Sequence, residues 1–151
     1  MSKRNAYHVT IASLFPGDVI RPERHAALYR QFRPGGPMPA PDFIANLLWE
    51  LALEAARAAG APNKPSRLAS VYAWETLEAA RLFRERRGPE AAILAVEFGS
   101  DAPLHRGDFD LISSGNPTTA YVDYMSETAA RYWLDPPVGI VVTLPPTSIQ
   151  L

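Results

Sequence analysis

Side chains able to bind or react with a ligand fall into three short stretches of this 151-residue chain, at residues 7–10, 66–74 and 105–110. In the first, His8 is either a structural histidine satisfied by hydrogen bonds or a ligand contact. In the second, Tyr72 offers a flat aromatic face that can hold a flat cationic ring by stacking and cation–π attraction. In the third, a carboxylate could stabilise a positive charge that develops during a reaction.

Strands and helices must position these stretches. Residue types and turn signals predict strands at 7–14, 68–74, 91–98 and 138–144, with turn clusters at 16–18 and 113–117. Amphipathic helices are predicted at 76–87 and 121–133. The proline-rich stretch 21–41 is predicted to be a long loop bordering the site, with a short helical turn at 25–32.

A further helix is predicted to begin at Asp42, which can cap it, and to end at Gly60. Its apolar residues recur every four positions, which predicts that they face the core: Phe43, Leu47, Leu51 and Ala55. Its charged residues are predicted to lie on another side: Glu50, Glu54 and Arg57.

The alternation of strands and helices, without an internal repeat or a separating linker, predicts one domain over residues 1–151. Neither G-x-G-x-x-G nor G-x-x-x-x-G-K-[ST] is present, so the glycine signatures of doubly wound nucleotide-binding folds are missing. The fold class expected is α+β, with a split, mixed or antiparallel β-sheet and flanking helices.

Composition narrows the classes of function. Fifteen Lys and Arg residues against 16 Asp and Glu give a net charge of −1, which is not typical of a dedicated nucleic-acid or anionic-membrane binder. The chain has no cysteine, and its three histidines lack the spacing of a metal site, so no metal is predicted. With neither an apolar membrane span nor a secretory signal, a cytoplasmic protein is expected.

The order of these features resembles the diphtheria-toxin-like branch of the ADP-ribosyltransferases, and most closely the small bacterial rifamycin ADP-ribosyltransferases. The resemblance rests on the first-strand histidine, the Gly-Asp after it, the aromatic strand before a helix and the late acidic loop: His8, Gly17, Asp18, Tyr72 and residues 105–110. Members of this family share a split β-sheet around a cleft for NAD, which is the substrate.

The resemblance implies a role for each matching residue. His8 and Thr10 would contact the adenosine ribose of NAD, although Val9 stands where the family usually has glycine. Tyr72 would stack on nicotinamide at the catalytic centre. The late strand lacks the glutamate common in the family, so Asp108 and Asp110 are candidates for the catalytic carboxylate, as an aspartate is in the rifamycin-modifying relatives, and Asp110 is preferred.

Three assignments have competing interpretations. Glu127 is a second candidate for the catalytic carboxylate, but an i,i+4 ion pair with Arg131 on a solvated helix face would also explain it. Asp108 and Asp110 could instead be turn or cap residues. Arg67 could contact a phosphate of NAD or be an ordinary loop arginine.

The function expected is transfer of ADP-ribose from NAD to an acceptor that the sequence does not specify among proteins, nucleic acids and small molecules. The alternative is a non-catalytic module that binds NAD, ADP-ribose or a partner protein.

Overall fold

A computed structural model describes residues 2–22, 24–113, 121–137, 141–143 and 149–150. The strands are β1 (Lys3–Thr10), β2 (Val19–Ile20), β3 (Ala73–Trp74), β4 (Ala92–Gly99), β5 (Arg106–Asp108), β6 (Val141–Thr143) and β7 (Ile149–Gln150). The helices are α1 (Arg24–Arg30), α2 (Pro41–Gly60), α3 (Leu77–Arg87), α4 (Phe109–Ser113) and α5 (Tyr121–Leu134), with a 3₁₀ turn at Arg67–Ala69.

These strands form one sheet in the order β2-β7-β4-β1-β3-β6-β5, and each pairing within the described chain is antiparallel. The predicted α+β class is therefore confirmed. None of the helices that the structure describes is long and apolar enough to cross a membrane.

The centre of the sheet opens on one side of β1. Strands β1 and β4 pair along their whole length, from Lys3 opposite Gly99 to Thr10 opposite Ala92. On its other side, the described pairing of β1 with β3 is confined to Tyr7 opposite Trp74. The chain before Trp74 therefore separates from β1 and leaves a gap in the sheet.

Apolar side chains pack on both faces of this sheet, because successive residues of a strand point to opposite faces. One cluster joins the sheet to helices α2, α3, α4 and α5 and includes Leu53, Trp74, Ala80, Ile112, Ala129, Tyr132 and Trp133. The cluster on the other face includes Ala6, Ile20, Val71, Ala73, Val96 and Phe98.

Local hydrogen bonds change two predicted elements. Of the strand predicted at 68–74, only Ala73–Trp74 is a strand. Its first two residues belong to the 3₁₀ turn Arg67–Ala69, which the Ser66 hydroxyl caps by accepting from the Leu68 amide. The loop predicted at 105–110 contains β5, which pairs with β6, followed by α4. The first strand is Lys3–Thr10, not 7–14.

The predicted inward face of α2 is also wrong. Leu51 is 56% exposed, whereas Glu50 and Leu53 are buried. The helix starts at Pro41 after Ala40, without a side-chain cap from Asp42. Most of the predicted turn at 113–117 and the ends of the predicted strand 138–144 lie outside the described residues.

Candidate functional site

A cavity of about 380 Å³ occupies the gap where β1 and the chain before β3 separate. This volume lies near the lower end of the range, about 300–1,000 Å³, that is typical of small-molecule sites. The walls come from β1, from residues 20–21 and 67–74, and from the helices α1, α2, α3 and α4. The cavity brings together all four residues that the sequence assigned to cofactor binding: His8, Thr10, Arg67 and Tyr72.

His8 and Tyr72 meet across the gap. The His8 ring nitrogen Nδ1 lies 2.7 Å from the Tyr72 carbonyl oxygen. A carbonyl only accepts, so Nδ1 carries the proton, and in the neutral ring Nε2 is then an acceptor. Strand alternation places His8 on the same face as Ala6, whereas Tyr72 packs against the helix-covered cluster. Both nevertheless line one cavity, because the sheet is open between them.

Thr10 lies at the end of β1, next to the cavity. Its Oγ1 accepts a hydrogen bond of 3.1 Å from the backbone amide of Ala12, which fixes the turn that follows. The hydroxyl proton of Thr10 is not used by this bond, because an accepting hydroxyl can still donate.

A buried ion pair forms part of the cavity wall. Arg67 is 7% exposed and Glu50 is 5% exposed. The Arg67 guanidinium donates to the Glu50 carboxylate from Nε at 3.0 Å and from Nη2 at 2.8 Å, and its Nη1 donates to the Tyr132 hydroxyl at 2.8 Å. This bidentate geometry is the strong form of an arginine–carboxylate contact. Through its bonds to Glu50 and Tyr132, Arg67 joins α2 and α5 to the 3₁₀ turn.

The Tyr72 ring is held by Arg67 in two ways. The guanidinium carbon lies 4.7 Å from the ring centroid, over one face, and the Tyr72 hydroxyl donates to the Arg67 carbonyl oxygen at 3.0 Å. The guanidinium is also 5.3 Å from the Tyr132 ring. Arg67 therefore covers one face of the Tyr72 ring, and a ligand cannot stack on that face.

Burial sets the charge states in this cluster. It raises the pKa of Tyr72 well above its usual value, against the opposing effect of Arg67, and it raises the pKa of Tyr132 as well. Burial alone would lower the pKa of Arg67, but the neighbouring Tyr132, Tyr72 and Glu50 hold it well above its usual value. At neutral pH, Tyr72 is therefore a neutral ring beside a permanent cation.

The carboxylates proposed for catalysis lie elsewhere. Asp110 is on α4 next to Phe109, which lines the cavity, but its Oδ1 accepts from Arg86 Nη1 at 2.8 Å on the surface. The Asp108 side chain accepts from the Asp110 amide at 3.0 Å, which matches its interpretation as a cap.

Glu127 is exposed on α5 and does not line the cavity. Its expected ion pair with Arg131 is not the one formed, because Arg131 Nε donates to Asp135 at 3.1 Å.

Cavity-lining residues that were not assigned to the site from the sequence include Tyr29, Asn46 and Glu50. Tyr29 comes from α1, inside the predicted loop, and its ring centroid is 5.4 Å from that of Phe43. Burial and the Glu50 carboxylate raise the pKa of Tyr29. The spacing of Asn46 and Glu50, four residues apart on a helix, is the one local signal that they share a face.

No protein-family model matches the chain, and no curated protein matches its sequence. The resemblance to ADP-ribosyltransferases therefore rests on the residues described above and stays a prediction.

Proposed function

We propose that the cavity binds NAD and that the protein is an NAD-dependent ADP-ribosyltransferase. The observation that carries this proposal is the convergence of His8, Thr10 and Tyr72 on one cavity at the gap in the sheet. They come from two separate stretches of the sequence, 7–10 and 66–74, and the resemblance to ADP-ribosyltransferases implies a role in NAD binding for each of them.

Each residue has a suitable group to offer. When the His8 ring is neutral, the proton on Nδ1 makes Nε2 a hydrogen-bond acceptor, which suits a ribose hydroxyl, and the Thr10 hydroxyl can donate to a ribose oxygen. The aromatic ring of Tyr72, which lines the cavity, suits a flat pyridinium ring. The walls contributed by Trp74 and Phe83 are apolar, which would limit the access of water.

The reaction breaks the bond between the nicotinamide nitrogen and the ribose carbon. The bonding electrons leave with neutral nicotinamide, while the acceptor forms a bond to that carbon and loses a proton. Positive charge develops on the ribose, so a carboxylate would stabilise the transition state. We retain Asp110 as the candidate because its neighbour Phe109 lines the cavity. Asp110 would have to exchange its contact with Arg86 for one with the ligand.

The ion pair between Asp110 and Arg86 also favours a second candidate function, a module that binds NAD or ADP-ribose without transferring ADP-ribose. Neither Asp110 nor Glu127 lines the cavity, and the carboxylate of Glu50, which does line it, is held by Arg67. A protein in this arrangement could bind the dinucleotide and leave its glycosidic bond intact.

Two measurements test the proposal and separate these functions. Calorimetry with NAD reports binding, and release of nicotinamide from labelled NAD reports cleavage. We expect Tyr72→Leu to weaken binding about tenfold, because one stacked ring contributes roughly 1 kcal/mol or more, while Tyr72→Phe retains most of it.

Tyr124→Leu is the matched control, since Tyr124 packs against Trp49 and does not line the cavity. Binding without nicotinamide release would select the binding module. If the parent protein bound neither NAD nor ADP-ribose in calorimetry, both functions would be refuted.

A further inference from the structure

We propose that Arg21 binds the diphosphate of a nucleotide in the cavity and so makes the cavity selective for anionic nucleotides. This inference rests on the proposed function in taking the ligand to be NAD or ADP-ribose, both of which contain a diphosphate. It assigns to Arg21 the phosphate contact that the sequence had suggested for Arg67.

The charges around the cavity favour an anionic ligand. Among the described residues that line it, the arginine, lysine and acidic side chains are Arg21, Arg67 and Glu50. Two positive charges against one negative charge leave an excess of one positive charge. Such an excess in a concave site attracts anions, and the two phosphates give NAD and ADP-ribose a net negative charge.

Arg67 does not offer its charge to a ligand. The residue is 7% exposed, and its guanidinium donates to the Glu50 carboxylate and to the Tyr132 hydroxyl. A phosphate could engage this guanidinium only by displacing bonds that are buried in the cavity wall, which costs desolvation free energy. The contact with phosphate therefore falls to Arg21.

Arg21 is an exposed residue at the edge of the same cavity. It makes no hydrogen bond or ion pair with any residue in the part of the chain that the structure describes. Asp18, three residues before it, is used by its own turn, because its Oδ2 accepts from the Phe15 amide at 2.7 Å. The planar guanidinium can donate to two oxygens of a phosphate at once and keeps its charge at any ordinary pH.

The backbone of Arg21 is anchored on the side of the cavity where the ribose would lie. Ile20, which precedes it, is 3% exposed and packs in the same apolar cluster as Ala6 and Val71. Strand alternation places His8 on the face of β1 that Ala6 occupies. A cation on this side suits a phosphate that is bonded to the ribose contacted by His8.

The experiment compares two nucleotide ligands that differ only by the diphosphate. Dissociation constants for ADP and adenosine are measured by calorimetry or by NMR titration, and their ratio reports the contribution of the diphosphate. The variants are Arg21→Gln, which removes the charge, and Arg21→Lys, which keeps the charge without the planar fork. Arg30→Gln is the control, because Arg30 is also exposed, at the end of α1, but does not line the cavity.

We expect Arg21→Gln to lower the preference for ADP over adenosine about tenfold and to weaken NAD binding to a similar extent. Loss of a hydrogen bond to a charged group has an effect of about this size or larger, and water around an exposed side chain keeps it at the lower end. Arg21→Lys should retain part of the preference, since an ammonium group also binds phosphate. Arg30→Gln changes the net charge of the protein equally and should leave the ratio unchanged.

A general electrostatic effect would change the ratio equally in Arg21→Gln and Arg30→Gln, and that result overturns the inference. A parent protein that does not prefer ADP over adenosine also overturns it. If the parent binds NAD and releases nicotinamide but the ratio is unchanged in Arg21→Gln, the inference fails and the proposed function stands. If Arg21→Gln lowers the ratio but the parent neither binds nor cleaves NAD, the inference holds and the proposed function fails.

Discussion

His105 should make the folded protein lose stability as the pH falls below about 6.5. The side chain is 5% exposed, its Nε2 donates to the Tyr132 carbonyl oxygen at 3.0 Å, and its ring stacks on Trp133 with centroids 4.6 Å apart. Burial, reinforced by the charge of Lys64, lowers the pKa of His105 to about 4. The folded protein therefore keeps this histidine neutral, whereas the unfolded chain takes up a proton near pH 6.5.

The direction and size of the effect follow from proton linkage. Between pH 6.5 and 4 the unfolded state binds more protons than the folded state, so the free energy of unfolding falls as the pH falls. With folded and unfolded pKa values of about 4 and 6.5, the contribution of His105 at pH 5 is a loss of about 2 kcal/mol relative to pH 8. The full loss, reached below pH 4, is about 3 kcal/mol.

Urea unfolding of the parent and of His105→Phe, from pH 8 to pH 4.5, isolates this contribution. The variant keeps an aromatic ring against Trp133, but this ring cannot bind a proton. Between pH 8 and pH 5 the free energy of unfolding of the variant should therefore fall by about 2 kcal/mol less than that of the parent. Every other ionisable group is the same in the two proteins, so its contribution cancels in the difference. Parallel stability curves for the two proteins, or an NMR titration of His105 centred near 6.5, would refute the reasoning.

Two other substitutions have clear outcomes. Gly107→Ala would place a Cβ atom 2.3 Å from the Tyr132 ring, so we expect it to destabilise the fold by about 1–3 kcal/mol or more in chemical unfolding. The control is Gly60→Ala, whose Cβ would have its nearest neighbour 4.0 Å away, and which should be neutral or slightly stabilising. Equal effects of the two substitutions would contradict the packing argument. If the protein is a transferase, Asp110→Asn should strongly reduce nicotinamide release and leave the dissociation constant for NAD nearly unchanged, because the carboxylate acts in the transition state. Glu127→Gln should leave the release of nicotinamide and the dissociation constant near the values of the parent. Loss of turnover in the Glu127 variant alone would reverse the assignment.

The sequence predicts the bounds of a helix or strand well where the hydrogen bonds that end it are made by neighbouring residues. Thr76 caps α3 by accepting from the Ala79 amide at 3.1 Å, and the helix ends before Gly88, close to the boundaries predicted from the same residues. The apolar run of β4 predicted that strand to within one residue. By contrast, β5 depends on pairing with β6 far along the chain, and its own three residues carry no strand pattern.

The most consequential error concerned α2, and its cause lies in the composition of that helix. Leucines fall at positions 47, 48, 51 and 53, so apolar residues surround much of the helix and periodicity does not select one face.

The orientation is fixed instead by a partner 17 residues away, because Arg67 holds Glu50 inside the wall of the cavity. A buried carboxylate breaks the amphipathic pattern at the position where it serves the site. Glu50, which the pattern placed away from the core, is therefore the residue that links α2 to Tyr72, because the Arg67 that holds it also covers the Tyr72 ring.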